Sequence, residues 1–158
     1  MFNRKLVAAA LLKIARLVAY TPIRKKETDE RNRSWNNMVT AYVPKLYATA
    51  VVKAKAAVDA DGYDAMSVRQ VKSDYLLYRD EAKNSNKYHY YTLLDIRCDD
   101  GKDRYAAVNC YGRVGFIEGT QILGKRVSDY LSVAESEYSK HYSAKTRKGY
   151  QPIKLQRG

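Results

Sequence analysis

The stretch CYGRVGFIEG (Cys110–Gly119) sets one cation, Arg113, between two glycines, Gly112 and Gly115, and beside a flat ring, Tyr111. An arginine side chain presents a planar fork of five N–H donors that matches phosphate oxygens. A glycine, lacking a β-carbon, lets another chain come close to the backbone. Together they suit contact with a sugar-phosphate backbone, which fixes position without reading sequence. The same spacing also fits a tight turn in which Arg113 pairs with a local acid such as Glu118. Both readings stay open on these residues alone.

Other chemistries find less support. GTQILGKR (Gly119–Arg126) follows the phosphate-loop pattern until its last position, where Arg126 replaces the hydroxyl that would hold magnesium. It is read as a glycine-containing loop between strand and helix. His89 and His141 have no accompanying nucleophile elbow or paired carboxylates, and two Cys with two His supply few zinc ligands. No catalytic residue, metal, cofactor or small-molecule substrate is therefore expected.

The net charge of +12 sits at the ends: Met1–Lys26 holds seven Lys or Arg and no acid, and Ser139–Gly158 holds six and no acid. Two basic ends around a balanced body form the footprint of a polyanion-binding protein. Fifteen Tyr against one Trp and two Phe point to half-buried faces, where an apolar ring and a polar tip are both useful. The apolar run at Leu6–Leu12 is interrupted by Lys13 and Arg16 and falls short of the ~20 residues of a membrane span.

Residues 4–20 have helical spacing and a cationic side, open to docking on the core, on nucleic acid or on a membrane surface. Residues 34–60 read as helix, broken near Pro44 and stopped at Gly62. A second helix is expected from Ser67 to Ala82, capped by Ser67 and Gln70, with Val68, Val71, Tyr75, Tyr78 and Ala82 as its stripe.

From Tyr88 the period becomes two. An antiparallel hairpin turns at DDGKD, Asp99–Asp103. Its expected register sets Cys98 opposite Arg104 and Cys110 opposite Thr92, leaving the sulfurs about 20 Å apart and unpaired. Free thiols imply a reducing, intracellular compartment. A third strand is expected at Val114–Ile117. A last helix spans Ser128–Lys145, capped by Ser128, with Tyr130, Ala134, Tyr138 and Tyr142 along one face.

NKYHYYTLLDI, YGRVGFIEGTQ and SDYLSVAESEYSKHYSAKTRKGY, in this order, resemble the WGR domain, named for a Trp-Gly-Arg triplet. Gly112-Arg113-Val114-Gly115 matches the end of the triplet motif, with Tyr111 in place of the tryptophan. Ala134, Tyr138, Lys140 and Tyr142 match the helix, and Lys145-Thr146 and Gly149-Tyr150 match the tail. The helical spacing of the first half and the resemblance of the second together imply an α+β protein: a helical N-terminal half, then a small antiparallel sheet with a helix packed across it. The divisions are a basic helix at 1–26, a helical region at 27–87 and the WGR-like module at 88–158. In the family, the triplet's ring and guanidinium lie at a DNA end. The expected function is thus non-catalytic, largely sequence-independent binding of nucleic acid, DNA over RNA. The residues expected to carry it are Tyr111, Gly112, Arg113, Gly115, Lys125, Arg126, Lys145, Arg147 and Lys148. The alternative is an adaptor that docks on a polymerase or another DNA-processing enzyme.

Overall fold

The computed structural model describes Arg33 and residues 36–155. Helix α1 covers residues 36–60. It is followed by β1 (Ala65–Asp80), β2 (Ser85–Cys98), β3 (Asp103–Arg113), β4 (Gly119–Ile122), a 3-10 turn (Leu123–Lys125), α2 (Leu131–Arg147) and β5 (Gln151–Ile153). The strands form one antiparallel sheet in the order β4-β3-β2-β1-β5, so the chain is α+β. The helix expected at 4–20 lies outside the described residues.

Successive side chains of a strand point to opposite faces, and here each face is covered by a helix. Leu76, Tyr91, Leu93 and Ala107 meet Leu123 and the α2 residues Ala134 and Tyr138. On the other face, Cys110 Sγ lies 3.6 Å from the Leu46 carbonyl of α1. Val39, Leu46, Ala50, Ala54 and Val58 form the buried stripe of α1. That stripe extends to both sides of Pro44, and the helix runs through the proline instead of breaking there. A helix in a protein is held chiefly by packing of its apolar face. With both faces covered, β2 is buried at nearly every position from Tyr88 to Ile96.

The helix expected from Ser67 is instead the sixteen-residue strand β1. Two irregularities in its pairing explain the misreading. Gln70 pairs with Leu94 but Lys72 with Leu93, so Val71 is an extra residue. A bulge of this kind reverses the parity of everything that follows. Val68 and Gln70 lie opposite Ile96 and Leu94, and Ser73, Tyr75 and Leu77 continue the same face. Of the expected stripe, only Val68 and Tyr75 share this face, since Val71 is the extra residue and Tyr78, opposite Lys87, lies on the other side. Gln70 caps no helix; its amide donates to Tyr90 Oη and Thr92 Oγ1, both at 3.1 Å.

The β2–β3 hairpin forms where expected but two residues out of the expected register, with Arg104 opposite Ile96 and Cys110 opposite Tyr90. The loop is shorter than the sequence suggested: Cys98 N–H donates to the Lys102 carbonyl, and Gly101, at φ 79°, closes a turn onto the Cys98 carbonyl. Such three-residue loops need a left-handed residue at that position. Both cysteines are free and buried. Val114–Ile117 is a turn and irregular segment, and the fourth strand begins only at Gly119. Ser128 does not cap α2. Its backbone forms a bridge with Tyr105, and Leu131 opens the helix.

Both helices end the same way. Gly62 (φ 89°) and Gly149 (φ 98°) take left-handed conformations. The following tyrosines donate back to the helix, Tyr63 N–H to Val58 O and Tyr150 N–H to Lys145 O. This satisfies carbonyls that the helix end would otherwise leave bare, and turns the tyrosine back toward the sheet.

Helix α2 is tied to β1 by Tyr138, whose buried Oη donates to Asp74 Oδ2 at 2.6 Å. Burial, and then the Asp74 carboxylate, push its phenol pKa well up. Tyr138→Phe should keep the ring packing and lose this bond to a charged acceptor, costing about 1–3 kcal/mol in urea unfolding.

Candidate nucleic-acid interface

The β2–β3 register brings the triplet to one end of the sheet, with His89 opposite Tyr111, Tyr88 opposite Gly112 and Lys87 opposite Arg113. The α2 C-terminus reaches the same end, because Gly149 turns Tyr150 edge-on to His89 at 5.1 Å. Tyr150 also meets Tyr78 at 5.4 Å, and Lys145 Nζ sits 5.7 Å from the Tyr150 ring centre. The last turn of α2 carries Lys145 and Arg147, where cations complement the helix dipole. Arg113, Lys87 and the basic end of α2 are thus gathered by topology.

His89 anchors this end. Its ring stacks on Tyr91 at 5.8 Å and on Tyr111 at 5.7 Å, and Nδ1–H donates to Asn109 Oδ1 at 3.1 Å. Burial lowers its pKa to about 4 against the opposing pull of the Asn109 bond, and Lys145, Lys148 and His141 lower it further. The ring is neutral at pH 7. Burial, then Lys148, likewise lowers the pKa of Lys145.

Arg113 is exposed, and its Nη2 donates to the Asn84 carbonyl at 3.0 Å. Among the described residues no carboxylate forms an ion pair with it, so the pairing with Glu118 is not made. Arg104 is the contrast. It is buried, paired with Asp100 at 2.9 Å and Asp129 at 3.5 Å, and laid 3.6 Å from the Tyr63 ring centre. Arg104 serves the fold; Arg113 leaves its charge in solvent. Lys87, directly opposite Arg113, adds a like charge where a sheet usually avoids one.

Gly112 serves the tight turn that the sequence left open. Gly112 is buried, and a β-carbon there would lie 2.9 Å from Glu118 N and 3.0 Å from Phe116 O. Its missing side chain makes room for the chain's own turn, and not for a ligand. Gly115 is exposed, at φ 93°, with nothing within 4 Å of its would-be β-carbon. Gly119 leaves room for the Tyr111 ring, which its β-carbon would strike. Tyr111 is therefore half-buried between His89 and β4.

Lys145 and Lys148 join Arg113 at this end, and Arg147 is exposed beside them. Lys125 and Arg126 do not. They follow Ile122, which pairs with Val108, so they lie about 17 Å along the sheet from Arg113 at ordinary strand rise. Lys125 instead lines a shallow groove with Lys53, Thr120 and Gln121. His89 and Lys87 were not singled out from sequence. The expected register placed Tyr91, not His89, across from Tyr111; the correct loop length would have revealed both.

A twisted antiparallel sheet crossed by a helix, with an exposed arginine following a ring and a glycine at the end of its third strand, defines a small basic recognition module. The chain belongs to the WGR-domain family, whose model matches residues 73–157, more than half of its length. WGR domains are nucleic-acid-binding modules. The match starts within β1, just past the bulge, so α1 and the first part of β1 lie outside it. No curated protein and no solved structure matches the chain.

The burial of His89 makes stability depend on pH. Its folded pKa lies below the unfolded value of about 6.5, so the unfolded state binds more protons between the two. The stabilisation is complete above about pH 6.5 and is lost as pH falls toward 4. His89→Phe should flatten the decline in urea-unfolding free energy between pH 7 and 4 by roughly 2–3 kcal/mol.

Proposed function

We propose that this protein is a non-catalytic, largely sequence-independent DNA-binding protein that holds the backbone at the end of its sheet. Arg113 carries the phosphate contact, and Lys87, Lys145, Arg147 and Lys148 extend the positive surface around it. The single observation that carries this reading is the exposed, acid-free guanidinium of Arg113, held at its base by the Asn84 carbonyl. A bidentate fork held in place loses less freedom on meeting a phosphate than a free lysine would. The preference for DNA over RNA rests on the family's habit, since no side chain is assigned to a 2′-hydroxyl. The two unpaired thiols fit a reducing, intracellular compartment.

Fluorescence anisotropy with a short duplex at several salt concentrations tests the proposal. Log affinity should fall linearly with log salt, with a slope of several counterions and little change between unrelated sequences. Arg113→Ala should cost about 1–3 kcal/mol and make the slope shallower by about one. Lys125→Ala combined with Arg126→Ala, remote from Arg113, should have a smaller effect. Binding without salt dependence would remove the electrostatic contact on which the reading stands.

A further inference from the structure

We infer that Phe116 is a base-stacking contact, and that the preferred ligand has an unstacked base next to a backbone phosphate. The inference deepens the DNA-binding reading and rests on it. Phe116 is 65% exposed, at the tip of the turn that joins β3 to β4. A lone exposed apolar ring needs no explanation in general. This one differs because its backbone is fixed from several sides. Phe116 N–H donates to the Arg113 carbonyl at 2.9 Å, and the Phe116 carbonyl accepts from the buried Tyr88 Oη at 2.6 Å. The adjoining Gly115 carbonyl accepts from Tyr42 Oη of α1 at 3.2 Å, and Glu118 N–H donates to the Tyr111 carbonyl at 3.0 Å. The turn is therefore held to the sheet below it and to the helix beside it.

Three residues before the ring stands Arg113, itself exposed and held at Asn84. A tethered cation and an exposed apolar ring on a turn whose backbone is held are complementary to a phosphate and a flat heterocycle on one strand. Tyr111 is less free to serve, being stacked on His89 and fitted against Gly119. Inside a continuous duplex each base face is already covered by its neighbours. A face becomes free at a duplex end or in a single strand, and stacking on an aromatic side chain then tolerates any base.

The test uses the full chain and three DNAs: a blunt duplex, a covalently closed duplex minicircle and a single strand, each at two salt concentrations. Phe116→Ala should weaken the blunt duplex or the single strand roughly 5- to 30-fold, leave the minicircle unchanged and leave the salt slope unaltered. Phe116→Trp should restore binding. A 2-aminopurine at the contacted terminus should be quenched by the unaltered protein and not by Phe116→Ala. The arm with the larger loss identifies the source of the free base face. Affinities of Phe116→Ala for all three DNAs that equal those of the unaltered protein, with a normal salt slope, would overturn this inference and leave backbone binding intact. A loss on the minicircle as large as on the other two would overturn it as well. If the unaltered protein shows no salt-dependent binding to any of them, both readings fall together.

Discussion

A strand that is buried on both faces must be apolar, or internally hydrogen-bonded, at every position. Strand β2 is under that constraint because α1 lies on one side of the sheet and α2 on the other. The run Tyr88–Ile96 meets it with tyrosines and leucines on both faces and with few polar atoms to satisfy. His89, Thr92 and Asp95 are the exceptions, and each has a partner: His89 bonds Asn109 of β3, Thr92 receives Gln70, and Asp95 receives Arg69. Every element that places the triplet is fixed relative to this strand.

The abundance of tyrosine follows from the same constraint. The rings fill interior space as phenylalanines would, and several of the hydroxyls reach an acceptor at the margin of the core, although the buried Tyr91 Oη finds none. Tyr138 reaches Asp74, Tyr88 reaches Phe116 O, and Tyr42 reaches Gly115 O. Tyr75 and Tyr88 stack at 5.3 Å beneath α1. These hydroxyls join elements that the backbone ladder does not connect, namely helix to strand, strand to turn and helix to turn. The charged groups are left for the periphery.

What could be read from the residues depended on how local the determining signal was. The hairpin at Asp99–Asp103, the stop of α1 at Gly62 and the existence of a helix near 128–145, though not its cap, are set by neighbours in sequence, and they were legible. Strand β1 was not, because the extra residue Val71 is visible only against a partner strand. Pro44 misled in the opposite sense, since the packing that carries α1 through it comes from the sheet. At the site, the residues alone left open whether Arg113 pairs with Glu118, and among the described residues that pair is not made. Gly112 was assigned to a ligand when its neighbour is Glu118 of the same chain. Lys125 and Arg126 are close to the triplet in sequence and distant along the sheet. Only the strand pairing separates them.

The hydroxyl of Tyr42 has a consequence for how the module is built. It joins α1, which lies outside the matched region, to the carbonyl of Gly115 inside the family's signature. A segment outside the matched region thus braces a turn inside it. Sliding α1 by one helical turn, about 5.4 Å, would carry that hydroxyl out of reach. The turn would then lose one of its anchors and gain conformational freedom. The helix on the far face is in this sense a clamp on the signature turn as well as a cover for the core.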